Sequence, residues 1–236
     1  MSARIREERE RGAMDMIQKI VGHFTQNLTY RKAIASILGN LIIGVSVAGL
    51  AYSLMGNDPF TAMNMAISDG LGVGLGTYQL VVNCILLIIQ FIWGRNYIGF
   101  GSIVNMCFAG YVIEFTGYGL NTLFGDSSQY TFLQRLIIML ISLVVVSFGV
   151  SMYQVSSLGV SPYDFLALGL TDCLPTPYFV NRVGTDVTCV VVILIAVFSG
   201  FITWDISHLG IGTICVAFFL GPLVNAFNSF NQRWIR

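Results

Sequence analysis

The sequence predicts an all-α polytopic membrane protein with six transmembrane helices and two short re-entrant half-helices, arranged as two inverted three-helix repeats. Three observations predict it. Only 10% of the residues are charged and 55% are hydrophobic, with a mean hydropathy of +0.75, whereas a soluble domain carries about 25% charged residues. Six apolar runs are long enough to cross about 30 Å of hydrocarbon. Between them a motif recurs: Asn57-Asp58-Pro59-Phe60, running on to Ile67-Ser68-Asp69, returns as Val160-Ser161-Pro162-Tyr163, running on to Leu170-Thr171-Asp172. Pro59 to Pro162 and Asp69 to Asp172 are both 103 positions apart. That constancy marks an internal duplication.

Residues 1–32 are read as a charged cytoplasmic arm. It holds seven basic residues (Arg4, Arg6, Arg9, Arg11, Lys19, Arg31, Lys32) against four acidic ones (Glu7, Glu8, Glu10, Asp15); five basic and eight acidic residues follow it. The arm is too long and too acidic for a secretory signal, and no small-residue cleavage site follows a short apolar core, so it is expected to be retained. Met16, Ile17, Ile20, Val21 and Phe24 recur at helical spacing. A short interfacial helix and a solvated anchor of topology both fit. Asn27-Leu28-Thr29 has the glycosylation pattern but adjoins Arg31 and Lys32, on the side where that modification does not occur.

Repeat 1 is assigned to residues 33–120, an external linker to 121–131, repeat 2 to 132–229 and a cytoplasmic tail to 230–236. The spans cover about 33–55, 76–94 and 98–120, then 132–155, 181–202 and 209–229. The motif segments 59–69 and 162–172 lie after the first span of each unit. At about 1.5 Å per residue each reaches only some 15–17 Å, too short to cross. Each opens with Pro in the first turn, where a missing N–H costs nothing, and ends in breakers: Gly70, Gly72, Gly74 and Gly76, or Pro175 and Pro177.

If these segments turn back, each unit makes three crossings, the second unit is upside down, and both termini lie inside. Arg95, Arg182, Arg233 and Arg236 then share the cytoplasmic side with the arm, leaving Arg135 near the outer interface. If they cross, the chain has eight spans in two parallel repeats, with Arg95 the lone exception. Charge bias does not separate the two arrangements; segment length favours the inverted one.

The third helices support the duplication. Ile98-Gly99-Phe100-Gly101-Ser102 matches Leu209-Gly210-Ile211-Gly212-Thr213 at a shift of 111, and the eight-residue difference falls in the polar link before the last helix, where 203–208 lies. Phe108-Ala109-Gly110 likewise pairs with Phe219-Leu220-Gly221, keeping small residues where backbones can meet, and Gly39, Gly44 and Gly49 form a similar ridge on the first helix.

Together, Gly56-Asn57-Asp58-Pro59-Phe60, Gly159-Val160-Ser161-Pro162-Tyr163-Asp164 and the paired glycine motifs resemble the YczE/YyaS/YitT family of bacterial integral membrane proteins, most closely its YczE-like branch, over roughly residues 33–227. The first copy departs from the pattern, with Asn-Asp before Pro and Thr61 where the second has Asp164. The resemblance implies the fold and the bacterial plasma membrane. It transfers no catalytic residues and no cofactor.

Polar residues inside spans are costly and therefore mark candidate sites. Glu114 and its repeat mate Asn225 are one pair; a neutral or paired Glu114 fits a proton-coupled or cation site, and a hydrated helix end is the rival reading. Asn83 and Asp186 are another pair, 103 apart, with Arg182 one turn before Asp186 and Gln79 in its place in the first copy. A structural Arg182–Asp186 pair competes there with a substrate role. The half-helix starts at Pro59-Phe60 and Pro162-Tyr163 offer unpaired amides to an anion, but Asp58 and Asp164 adjoin them, with capping the expected role of Asp164. If both acids face the cavity, a cationic or zwitterionic ligand fits better. Asp69 and Asp172 close the two segments.

His23 and His208 lie far apart in the topology, so no metal site is read, and no cofactor or nucleic-acid partner is expected. Cys84, Cys107, Cys189 and Cys215 sit in apolar runs as core residues, while Cys173 lies in a polar junction. No nucleophile–base set or phosphate loop is visible, which argues against an enzyme. The expected function is a small-molecule transporter or permease with a midplane site between the repeats, embedded in the lipid bilayer and paired as a homodimer. A regulatory or partner-binding membrane protein and a substrate-capturing importer subunit are the alternatives. The half-helix starts are expected to converge, with Gly56 and Gly159 unwinding the long helices to expose carbonyls beside the amides.

Overall fold

In a computed structural model the described residues, 28–203 and 209–235, are helical throughout, with no strand among them. The interfacial helix read within 16–24, both histidines and most of the polar link lie outside them. Eight α-helices follow in order: α1 (Tyr30–Tyr52), α2 (Pro59–Leu71), α3 (Leu75–Trp93), α4 (Phe100–Phe124), α5 (Phe132–Ser156), α6 (Pro162–Cys173), α7 (Tyr178–Phe198) and α8 (Ile211–Ile235). Five are long and apolar enough to cross a membrane: α1, α3, α5, α7 and α8. The sixth expected span, α4, has the length, at 25 residues, but carries Gly, Asn, Thr and Glu114 along it and falls outside that set. Two boundaries also move. Helix α4 runs on to Phe124, so the linker starts at Gly125, and α8 continues to Ile235, so residues 230–235 are helix rather than a separate tail.

The two short segments fold as expected. Helices α2 and α6 have 13 and 12 residues and begin at Pro59 and Pro162. At about 1.5 Å per residue they reach roughly 18–20 Å, well short of a bilayer core. Helix α2 stops at Gly72 in the left-handed region (φ +66°), while the extended Leu174 ends α6 before Pro175 and Pro177.

Interhelical contacts fix the helix directions. Gly39 of α1 lies against Tyr153 and Gly149 of α5, and Gly49 against Ser142, so α1 and α5 run antiparallel. A Cβ at Gly39 would sit 2.8 Å from the Tyr153 amide, so these backbones meet through small residues, as helices in lipid must when apolar burial gives no net drive. Gly44 meets Val112 of α4. Ser36 adjoins Gly101 at the start of α4, while Tyr52 donates to the Gly125 carbonyl (2.7 Å) just past its end, so α4 runs parallel to α1. Asn231 donates to Ser151 (2.9 Å) and the Gly212 amide to the Met55 carbonyl (2.5 Å), which sets α8 parallel to α5. Across this bundle α2 packs on α7 and α6 on α3.

The breaks after α1 and α5 share one backbone geometry. Leu54 and Ser157 both have φ of +53°, and Gly56 and Gly159 have +105° and +110°. Beyond α1 the chain doubles back, so that the Asn57 side chain donates its Nδ2–H to the Val47 carbonyl at 3.2 Å, ten residues earlier. Each break is then closed by the other half of the molecule. Met55 and Leu158 carbonyls accept from the amides of Gly212 (2.5 Å) and Gly101 (2.7 Å). The paired glycine motifs supply those helix starts with the same local bond, Gly99 N–H to Ser102 Oγ (3.2 Å) and Gly210 N–H to Thr213 Oγ1 (3.3 Å).

Candidate functional site

The half-helix starts converge. The rings of Phe60 and Tyr163, each the residue after its proline, stack nearly parallel (13°) with centroids 4.1 Å apart. This geometry is favourable when the rings are offset, and it fills the space between the two segments. Both rings are buried, and Cys189, Val82 and Leu86 surround them.

Beside the stacked pair lies a charged cluster. Arg182, one turn into α7, contacts the carboxylate of Asp164 in the first turn of α6 and lies 3.6 Å from Asp186 on its own helix. Its guanidinium sits over the Tyr163 ring, 4.7 Å from the centroid. Tyr163 donates its hydroxyl to Asp186 (2.6 Å), and the Cys189 thiol lies 3.6 Å from the same oxygen. Two carboxylates thus flank one arginine, and Asp58 adds a third acid nearby, at the start of α2 beside the stacked pair. The side chains of Arg182, Asp164 and Asp186 keep 25%, 35% and 21% of their exposure, so the cluster is sheltered yet reachable.

Several expected roles change at this level. Asp164 does not cap α6: Ser161 does, accepting from the Asp164 amide (3.1 Å) and donating its hydroxyl to the Asp164 carboxylate (2.7 Å). The capping acid is Asp58, which accepts from the Thr61 amide at 3.0 Å. The amides offered to an anion are therefore largely satisfied. Arg182, read from the sequence as a cytoplasmic-side charge, is a member of this cluster. The unwound carbonyls beside Gly56 and Gly159 are taken by the partner half; Val160 likewise accepts from Ser102 (2.6 Å) and Gln90 (3.3 Å).

Glu114 belongs elsewhere. Its carboxylate accepts from the Gly76 amide (2.7 Å) at the start of α3, stabilising the positive end of that helix. Gly74 makes room: a Cβ there would lie 2.6 Å from Glu114 Oε1, while Gly76 makes room for the Tyr111 ring. Its repeat mate Asn225 lies on an exposed face of α8. Asn83 is buried on α3 with its Nδ2 unbonded, and Gln79, in the position of Arg182, is buried with its Oε1 unbonded. Asp172 accepts from Tyr97 (3.0 Å), a bond that pushes the Tyr97 phenol above its ordinary pKa. Sequence reasoning missed Ser161 as the cap and Gln90 as a buried brace. Ser-Pro before an apolar run signalled the first; a lone Gln in a span was the only signal of the second. Among the described residues no group of three metal-ligating side chains comes together.

The chain belongs to a family of unknown function, DUF6198, whose model matches residues 30–229. It is 25% identical over 197 residues to the uncharacterized protein YyaS of Bacillus subtilis, covering 83% of this chain and 92% of the relative. It is 23% identical over 185 residues to the uncharacterized membrane protein YczE of the same organism, covering 78% of each. An uncharacterized protein of Haemophilus influenzae is 23% identical over 188 residues, covering 79% of this chain and 78% of the relative. No solved structure matches significantly. With its long apolar helices and this kinship, the chain is a multi-pass membrane protein. Exposed side chains such as Phe115 (80%) and Phe198 (86%) are then lipid-facing.

Proposed function

We propose that the protein is a small-molecule transporter of the bacterial cell membrane, built from two inverted three-helix repeats and working as a homodimer with both termini in the cytoplasm. What supports the inversion is the antiparallel course of α1 against α5 and of α4 against α8, together with breaks at Leu54–Gly56 and Ser157–Gly159 that repeat one backbone geometry. The site lies where α2 and α6 begin. The observation that carries the reading is the pairing of Arg182 with both Asp164 and Asp186 beside the stacked Phe60 and Tyr163, with Asp58 at the facing helix start.

An excess of carboxylates next to aromatic faces attracts a cationic or zwitterionic molecule, by charge and by cation–π contact. Arg182 holds two of those carboxylates, and the stacked rings close the passage between the segments. Parting the rings opens the site to one side or the other, a motion suited to two units rocking about a shared centre.

The experiment is an uptake comparison in a deletion strain, using a panel of labelled amines and amino acids. The wild-type gene should restore accumulation of at least one cationic or zwitterionic compound, and Asp186→Asn should not, although it inserts normally. If deletion changes no member of the panel, or if Asp186→Asn restores accumulation fully, the reading fails.

A further inference from the structure

We propose that the cleft between the start of α1 and the end of α8 binds the phosphodiester headgroup of an anionic phospholipid, independently of any transported molecule. The cleft has a volume of about 290 Å³ and is lined by Tyr30, Arg31, Ile34, Arg233 and Trp234. Its two arginines come from opposite ends of the described chain. Among the described residues no acidic side chain lines it, and neither arginine has an acidic partner. Two guanidinium groups opening on one cleft with no carboxylate in its described lining suit an anion held between them. Guanidinium also matches a phosphate's oxygens with paired donors. Arg31 is held in place by its Nε–H donated to the Tyr30 hydroxyl (3.1 Å) and by the Tyr30 ring, 5.8 Å away.

A lipid, rather than a free phosphate, is selected by what adjoins the cleft. Tyr30 and Trp234 are 68% and 53% exposed, and such amphipathic rings sit at the headgroup level of a bilayer. Ile34 belongs both to the cleft and to an exposed stripe, Ile34, Leu38, Leu41 and Val45, spaced by four, three and four residues along one face of α1. The eleven steps from Ile34 to Val45 span roughly 16–17 Å at 1.5 Å each, about the reach of an acyl chain. Val45 then forms part of an apolar groove of about 350 Å³ between α1, α4 and α5. Headgroup and tail therefore have one continuous track.

The test uses the full chain purified in mild detergent. Binding is read by native mass spectrometry and by the shift in melting temperature on adding dioleoyl phosphatidylglycerol, dioleoyl phosphatidylcholine or inorganic phosphate. The phosphatidylglycerol should bind more tightly and raise the melting temperature; the other two should not match it. Each arginine near an anionic headgroup is worth roughly fivefold in affinity, so the Arg31→Gln/Arg233→Gln variant should bind phosphatidylglycerol about thirtyfold more weakly. Arg31→Lys/Arg233→Lys, which keeps both charges, should retain most of the binding and shows that the positions tolerate change. Equal binding of the two lipids, or undiminished binding by the glutamine variant, would overturn the proposal. An equal effect of inorganic phosphate would overturn the lipid assignment in favour of a free-anion site.

Discussion

Gly56→Val and Gly159→Val should each abolish recovery of folded protein, while Gly72→Ala should lower the melting temperature only slightly. All three glycines have positive φ, at +105°, +110° and +66°. A side chain there costs about 1–3 kcal/mol in backbone strain alone. The first two carry a second penalty. A Cβ at Gly56 would lie 2.5 Å from the Gly210 amide nitrogen and 2.6 Å from Thr213 Oγ1, and one at Gly159 would lie 2.6 Å from both Gly99 N and Ser102 Oγ. Most of those atoms are backbone or short side chains that cannot swing away. Making room means pulling apart the Met55–Gly212 or Leu158–Gly101 hydrogen bond, by which each half closes the break in the other. With nothing within 4 Å of Gly72, that variant isolates the strain from the clash. Size-exclusion profiles and thermal unfolding of the three variants separate the two terms. Monodisperse Gly56→Val of near wild-type stability would show that the breaks are not structural joints.

Arg182→Ala should be the most damaging change within the cluster, and Asp164→Asn should partly repair it. Removing the arginine leaves Asp164 and Asp186 without their cation. Breaking a fully buried pair in this way costs about 3–5 kcal/mol. These side chains are a fifth to a third exposed, and water screens part of that, so about 1–3 kcal/mol is expected. Neutralising Asp164 removes one of the uncompensated charges, and a double-mutant cycle should therefore show strong positive coupling. Arg182→Lys should fall between, because an ammonium cannot reach two carboxylates with a planar fork while lying over the Tyr163 ring. Asp186→Asn keeps an acceptor for the Tyr163 hydroxyl, so its loss should appear in uptake rather than in stability. Additive losses from Arg182→Ala and Asp164→Asn would mean that the contact contributes nothing.

The half-helices were legible because proline, which lacks an N–H, has one favoured place in a helix, and because the same proline–aromatic step occurs twice. The convergence of Phe60 and Tyr163 follows from that duplication, since repeat-related groups meet at the axis relating the repeats. The Arg182–Asp186 pair was legible from its spacing of four residues. Asp164 joining that pair was not, because α6 and α7 are linked by a turn whose geometry the sequence leaves open. Glu114 was read from its cost in a span, and the cost is met by an amide 38 residues away, a tertiary partner that no local pattern announces. Helix α4 runs four residues past the expected end at 120, through Asn121-Thr122, with Gly117 and Gly119 inside it and open space around both. Hydropathy alone leaves α4 short of a span because Asn105, Glu114 and several small residues dilute its apolar stretch, although Gly101, Ser102, Ala109 and Gly110 are buried against neighbouring helices.

The inverted arrangement of the two halves is the claim on which the rest depends, and the sidedness of two loops tests it most directly. Single cysteines placed at Asn96, between α3 and α4, and at Asp126, between α4 and α5, can be labelled in intact cells and in inside-out vesicles with a membrane-impermeant thiol reagent, in a background free of accessible native cysteines. The account predicts that Asn96→Cys reacts only from the cytoplasmic face and Asp126→Cys only from the outer face. Labelling of Asn96→Cys from outside and of Asp126→Cys from the cytoplasm would contradict it, since α2 and α6 would then cross the membrane and the repeats would run parallel.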